Sequence, residues 1–153
     1  MAEKNADTLR FVQLMIALRK RHPSIMRRRF LTGQIIEGKD LTDVAWHGVE
    51  VNKPLWFDPE ARILSFTLAG IEENEANLHI ILNMSDRITP IELPQITGKK
   101  WCVAVDTSQP SPDDILLPID QKPYEKTHYI TSNKSVVVLE SLSTKPHKLL
   151  GLF

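Results

Sequence analysis

The chain has 153 residues, a length that suits one domain. Hydrophobic residues make up 42% and charged residues 25%, ordinary globular usage that excludes wholesale disorder. Lysine plus arginine and aspartate plus glutamate number 19 each, so no global field draws the chain to nucleic acid or to an anionic membrane. A single cysteine, Cys102, excludes an internal disulfide and fits a reducing compartment. The start, Met1 to Asp7, has no signal-peptide pattern, and no apolar run approaches the ~20 residues that span a bilayer. A soluble cytoplasmic protein is expected, with no nucleic-acid partner and no membrane partner.

In chain order, the first predicted element is a helix over Thr8 to Arg21. Leu9, Val12, Met15 and Ile16 recur at helical spacing, and Phe11, Leu14 and Leu18 widen the stripe. Asn5 or Asp7 can cap its start, and Pro23 ends it. The helix is apolar over more than half its girth, so it is expected to pack against two neighbours. After Phe30 the pattern turns to short runs of period two. Strands are predicted at Asp43 to His47, Ile63 to Leu68, Leu78 to Asn83, Thr89 to Leu93, Trp101 to Asp106, His128 to Thr131 and Ser135 to Glu140. Turn chemistry separates them, as at Ala69-Gly70, Thr97-Gly98 and Ser132-Asn133. The expected fold is mainly β: an antiparallel β-sandwich of six to eight strands, Greek-key type, behind one N-terminal α-helix. The division is expected to be 1–29 for the helix and exit segment and 30–153 for the sandwich.

Candidate chemistry is sparse. Arg19, Lys20, Arg21, Arg27, Arg28 and Arg29 cluster, but the basic face does not continue, and a solvated helix end explains it. No two of His22, His47, His79, His128 and His147 lie within five residues of each other, and Cys102 stands apart from any histidine, so no metal-ligand spacing occurs. Cys102 sits in an alternating strand and reads as a small buried hydrophobe. No spacing among Asp40, Asp43, Asp58, Glu60 and Asp106 marks a catalytic carboxylate pair. No phosphate-binding glycine loop is present, and neither a cofactor nor a metal is expected. Trp101 alternates with Val103 and Val105 and reads as core. Trp46 and Trp56 flank loop-like sequence, where their faces can stack on a sugar ring or plug the end of a sandwich.

The stretch TLRFVQLMIALRKRHPSIMRRRFLTG, from Thr8, resembles the last barrel helix and exit segment of glycogen-operon and plant-type isoamylase debranching enzymes, in the α-amylase superfamily. Further blocks follow in collinear order: DVAWHGVEVNKPLWFDPEARILSFTLAG from Asp43, LHIILNMSDRITPIELP from Leu78, WCVAVDTSQPSPDD from Trp101 and YITSNKSVVVLES from Tyr129. Ser132-Asn133-Lys134 stands where the family often has a proline and an arginine. The resemblance implies the family's non-catalytic C-terminal sandwich. The family's catalytic acids lie on a barrel upstream, and a barrel needs about 250 residues. No catalytic residue is therefore expected here. Three roles follow from the resemblance. The chain supports a barrel that hydrolyses α-1,6 branch points, or it stands alone as an α-glucan-binding module through Trp46 and Trp56, or it pairs with a barrel-bearing subunit. Leu9, Val12 and Ile16 are the expected interface in the last case, or a self-association patch. A plant source would place the protein in the plastid.

Overall fold

The structure is a computed structural model that describes residues 5–143. Helix α1 spans Ala6–Arg21 and is followed by a 3-10 turn, Pro23–Met26. Seven strands follow: β1 Val44–His47, β2 Ile63–Leu68, β3 Leu78–Asn83, β4 Thr89–Glu92, β5 Lys99–Asp106, β6 His128–Thr131 and β7 Ser135–Ser143. The helix starts two residues earlier than its apolar stripe predicts. Asn5 stands at its N-cap with no side-chain capping bond, and Asp7 lies inside the first turn. The expected side-chain cap is thus absent, while the Asp7 charge still favours the helix dipole. Leu142 and the residues around it extend β7 beyond the predicted run, because β5 offers a partner as far as Lys99.

All strand pairings are antiparallel. Five strands form one sheet in the order β1-β2-β3-β7-β5, and β4 pairs with β6 in a second, smaller sheet. The chain leaves the large sheet after β3, returns for β5, crosses again for β6 and returns with β7. The result is an unequal sandwich with a helix on its outer side.

Period-two alternation gives the large sheet two apolar faces. On one, Ile81, Val137 and Leu139 meet Ile91, Leu93 and Trp101 beneath the small sheet. On the other, Val44, Leu68, Leu78 and Val138 meet Leu18 of α1, flanked by Phe11, Leu14 and Met15. A bulge between Val103 and Val105 shifts the β5 register. Ala104 and Val105 thereby both join the helix-side cluster, while Val103 packs on the other side. Trp101 is core, as its alternation predicts, and its indole N–H donates to the Pro94 carbonyl at 2.7 Å. Cys102 is buried, and burial raises its thiol pKa.

Candidate functional site

Local geometry explains why two tryptophans separated by ten residues of sequence meet. Trp46 lies in β1, within the strand predicted at Asp43 to His47; that run is short, and pairing with β2 holds it as a strand. Trp46 stands opposite Phe66, with ring centroids 5.2 Å apart. The chain then turns back tightly. A Cβ on Gly48 would sit 2.5 Å from the Lys53 carbonyl oxygen, so only glycine permits the turn. Asn52 takes a positive φ of 60° and donates its N–H to His47 Nδ1 at 2.8 Å. The returning chain sets Trp56 edge-on to Trp46, at 5.4 Å and 71°. Trp46 is 38% exposed and Trp56 55%. Beside Trp56 an open groove of about 420 Å³ is lined by Leu55, Asp58, Arg62, Leu64 and Leu82, among others.

The second surface is the outer side of α1. Leu9, Val12 and Ile16 are 58%, 47% and 48% exposed. Val12 and Ile16 join Phe11, Met15, Leu18, Arg19 and Ile25 around a groove of about 340 Å³. The inner side is fixed by long-range polar contacts. Arg10 donates to Asp114 Oδ1 at 2.9 Å and to the Pro112 and Ile115 carbonyls at 2.7 Å. At the other end, Arg21 donates through Nε and Nη2 to both oxygens of Glu140, at 2.8 and 2.9 Å. His22 Nε2 also meets Glu140 Oε1, and Gln121 donates to Oε2 at 2.6 Å. Burial alone would raise the Glu140 carboxyl, but the bonds from His22, Arg21 and Gln121 prevail and hold its pKa at about 2. Glu75 takes the Ser24, Ile71 and Glu72 backbone N–H groups, and His22 Nδ1 faces it across 3.7 Å, too far for a hydrogen bond.

Sequence reasoning missed this cluster. It reads Arg21 and Arg27 as part of a solvated helix end, but Arg21 grips a buried carboxylate and Arg27 lies 3.5 Å from Asp43. Arg19, Lys20, Arg28 and Arg29 are exposed, as that reading has it. The missing signal was an apolar strand, SVVVLE, ending in a glutamate that needs a cation.

The histidines sort by burial. His47 Nε2, Thr67 Oγ1 and His79 Nδ1 form a chain with steps of 3.0 and 2.9 Å under the small sheet. Because His47 Nδ1 accepts from Asn52, its Nε2–H donates to Thr67, whose hydroxyl then donates to His79. Burial pushes the His79 pKa down to about 3, helped by the neighbouring His47. Among the described residues, no group of three or more His, Cys, Asp or Glu side chains is arranged to hold a metal ion. His147 lies outside the described residues.

The carboxylates are largely committed to the fold. Asp43 accepts from Thr32 and Gly33 N–H groups, and Asp106 from Ser108 and the Tyr129 hydroxyl. Asp58 accepts from the Glu60 N–H through Oδ1. Asp43 and Asp106, bonded through both oxygens, position the chain around them, whereas Asp58 is held through one oxygen alone. Among the described residues, no helix is long and apolar enough to cross a membrane.

Comparison with known proteins gives these surfaces a family context. A family model described as isoamylase 1-3, C-terminal, matches residues 45–143. The chain is 28% identical over 137 residues to isoamylase SU1, chloroplastic, of Zea mays, covering 86% of this chain and 16% of that protein. It is 29% identical over 116 residues to isoamylase 1, chloroplastic, of Arabidopsis thaliana, covering 76% and 13%. It therefore spans about a sixth or less of the length of these relatives. Since the family match begins within β1 and runs to the end of β7, it takes in both sheets, and the chain belongs to the isoamylase C-terminal domain family.

Proposed function

We propose that this chain is the non-catalytic C-terminal sandwich of a glycogen- or starch-debranching enzyme, and that it braces the barrel carrying the chemistry. The parent reaction is hydrolysis of α-1,6 branch points. The observation behind this reading is the asymmetry of α1. Its inner side is bonded at both ends through Arg10 and Arg21, while Leu9, Val12 and Ile16 stand bare on its outer side. A helix so firmly anchored presents a rigid apolar ridge, the form a covering domain needs. Exposed Arg19, Lys20, Arg28 and Arg29 near its C-terminal end favour an acidic rim on that partner. The same face serves a second reading, pairing with a barrel-bearing subunit as a separate chain. The names of the relatives support a plastid location if the source is a plant; for any other source the reading is a cytoplasmic location.

The test mixes this chain with an isoamylase-type barrel lacking its own C-terminal domain. Co-elution is expected, and it should be lost in a Val12→Asp/Ile16→Asp double variant whose melting curve is unchanged. Separate elution of the unaltered pair overturns the bracing role. Purified chain should release no reducing ends from branched glucan; release would overturn its non-catalytic reading.

A further inference from the structure

The groove beside Trp56 differs in kind from the ridge on α1, and its chemistry is that of a sugar site. Leu64 and Leu82 give it an apolar lining, and the exposed Trp56 borders it. Two planar, charged groups, Asp58 and Arg62, stand on the same rim. A pyranose ring needs this combination. Its C–H face is apolar and stacks on an aromatic plane, while its hydroxyls project sideways to planar donors and acceptors.

The groove is also built before any ligand arrives. The segment from Leu55 to Ala61 is two linked turns, with Asp58 N–H donating to the Leu55 carbonyl at 3.2 Å and Ala61 N–H to the Asp58 carbonyl at 3.1 Å. Arg62 Nη1 is pinned by the Pro59 and Ala61 carbonyls at 3.2 and 3.0 Å. Asp58 Oδ1 is held by the Glu60 N–H at 2.9 Å. Among the described residues, Arg62 Nη2 and Asp58 Oδ2 have no partner, so each side chain is fixed through one atom and open through another. Trp46 packs against Trp56 and sets its plane. Fixed groups cost little to order on binding, which is what a weak, shallow ligand requires.

We propose that this groove binds a carbohydrate chain, with Trp56 as the stacking platform, Asp58 and Arg62 as hydroxyl partners and Trp46 as the positioning residue. The groove itself calls only for pyranose rings; the choice of α-1,4-glucan rests on the debranching reading above. The site would hold a glucan away from the chemistry.

The experiment is an amide NMR titration of the labelled chain with maltoheptaose, and separately with cellohexaose, to about 10 mM, well above a millimolar Kd. Maltoheptaose should give saturable shifts centred on 55–64 and on the Trp56 indole. Trp56→Ala and Arg62→Ala should each weaken binding at least about tenfold. Phe57→Ala, beside the platform but outside the groove, should leave it unchanged. No saturable shift with either sugar, or shifts that survive Trp56→Ala and Arg62→Ala, overturns the site. Equal or tighter binding of cellohexaose overturns the α-glucan assignment. Failure here with co-elution on the α1 face intact would leave the bracing role standing, so the two readings fail separately.

Discussion

The two faces of the five-stranded sheet are finished to different degrees. Beneath the small sheet, Ile81, Val137 and Leu139 are wholly buried, and the polar side chains His47, Thr67 and His79 bond one another. On the opposite face, α1 covers one part, while Trp46 and the groove by Leu64 and Leu82 stay open. The first face is held by apolar area and shape. The second is fixed at one end by a buried charge cluster and left open elsewhere. The lesson is that a domain can complete its own core on one side and still keep a surface whose purpose lies outside it.

The sharpest test of that contrast is Glu140→Ala. It removes the acceptor shared by Arg21, His22 and Gln121 and leaves a half-buried arginine and a buried histidine without that partner. The expected cost is about 3–5 kcal/mol in urea unfolding, and a loss below ~1 kcal/mol would show that apolar contacts alone dock the helix. Next come adjacent residues of β3 that face opposite ways. Ile81→Ala, in the closed face, should cost about 2–5 kcal/mol. Ile80→Ala, half-buried in the open face, should cost about half as much. Equal losses would erase the difference between the faces.

The smallest effect is one of pH, and it reads the closed face alone near neutrality. His79 is held neutral in the fold, with its pKa lowered to about 3 from an ordinary 6.5. A lowered histidine pKa means that the unfolded chain takes up the proton first. Stability is therefore full above about pH 6.5 and falls as the pH drops. Between pH 7 and pH 5 the loss should be about 2 kcal/mol, seen as a falling denaturation midpoint. Glu140 has the same sign in a lower window: its carboxyl falls from 4.5 to about 2 on folding, so its contribution goes between those values. His79→Gln should flatten the upper limb and leave the lower one in place.

Much of the fold was legible in the sequence. Period-two runs placed all seven strands within a few residues, because each carries its own apolar alternation. The stripe of α1 placed the helix and named the side chains that stand bare. Trp46 was placed in its strand, but its meeting with Trp56 was not legible, since the turn after His47 sets it. The charge cluster went unread because Arg21 and Glu140 lie 119 residues apart: a glutamate closing the apolar run SVVVLE signals that it needs a cation but not which one. His47 and His79 meet through Thr67, a link that only register supplies. Asp58 was read only as one carboxylate among several and Arg62 was not singled out; their place along one groove depends on where Leu64 and Leu82 fall.

The placement of β7 bears on how the molecule comes into being. Among the described residues it is the last of seven strands, yet it lies between β3 and β5, and it brings Glu140 to the helix. During synthesis the described strands before it can form the β1-β2-β3 meander and the β4-β6 pair, with β5 left without a strand partner. The large sheet closes, and α1 acquires its Glu140 anchor, only once Ser135–Ser143 has left the ribosome. Until then β3 and β5 each present an unpaired edge, so the nascent domain is most open to aggregation just before β7 joins.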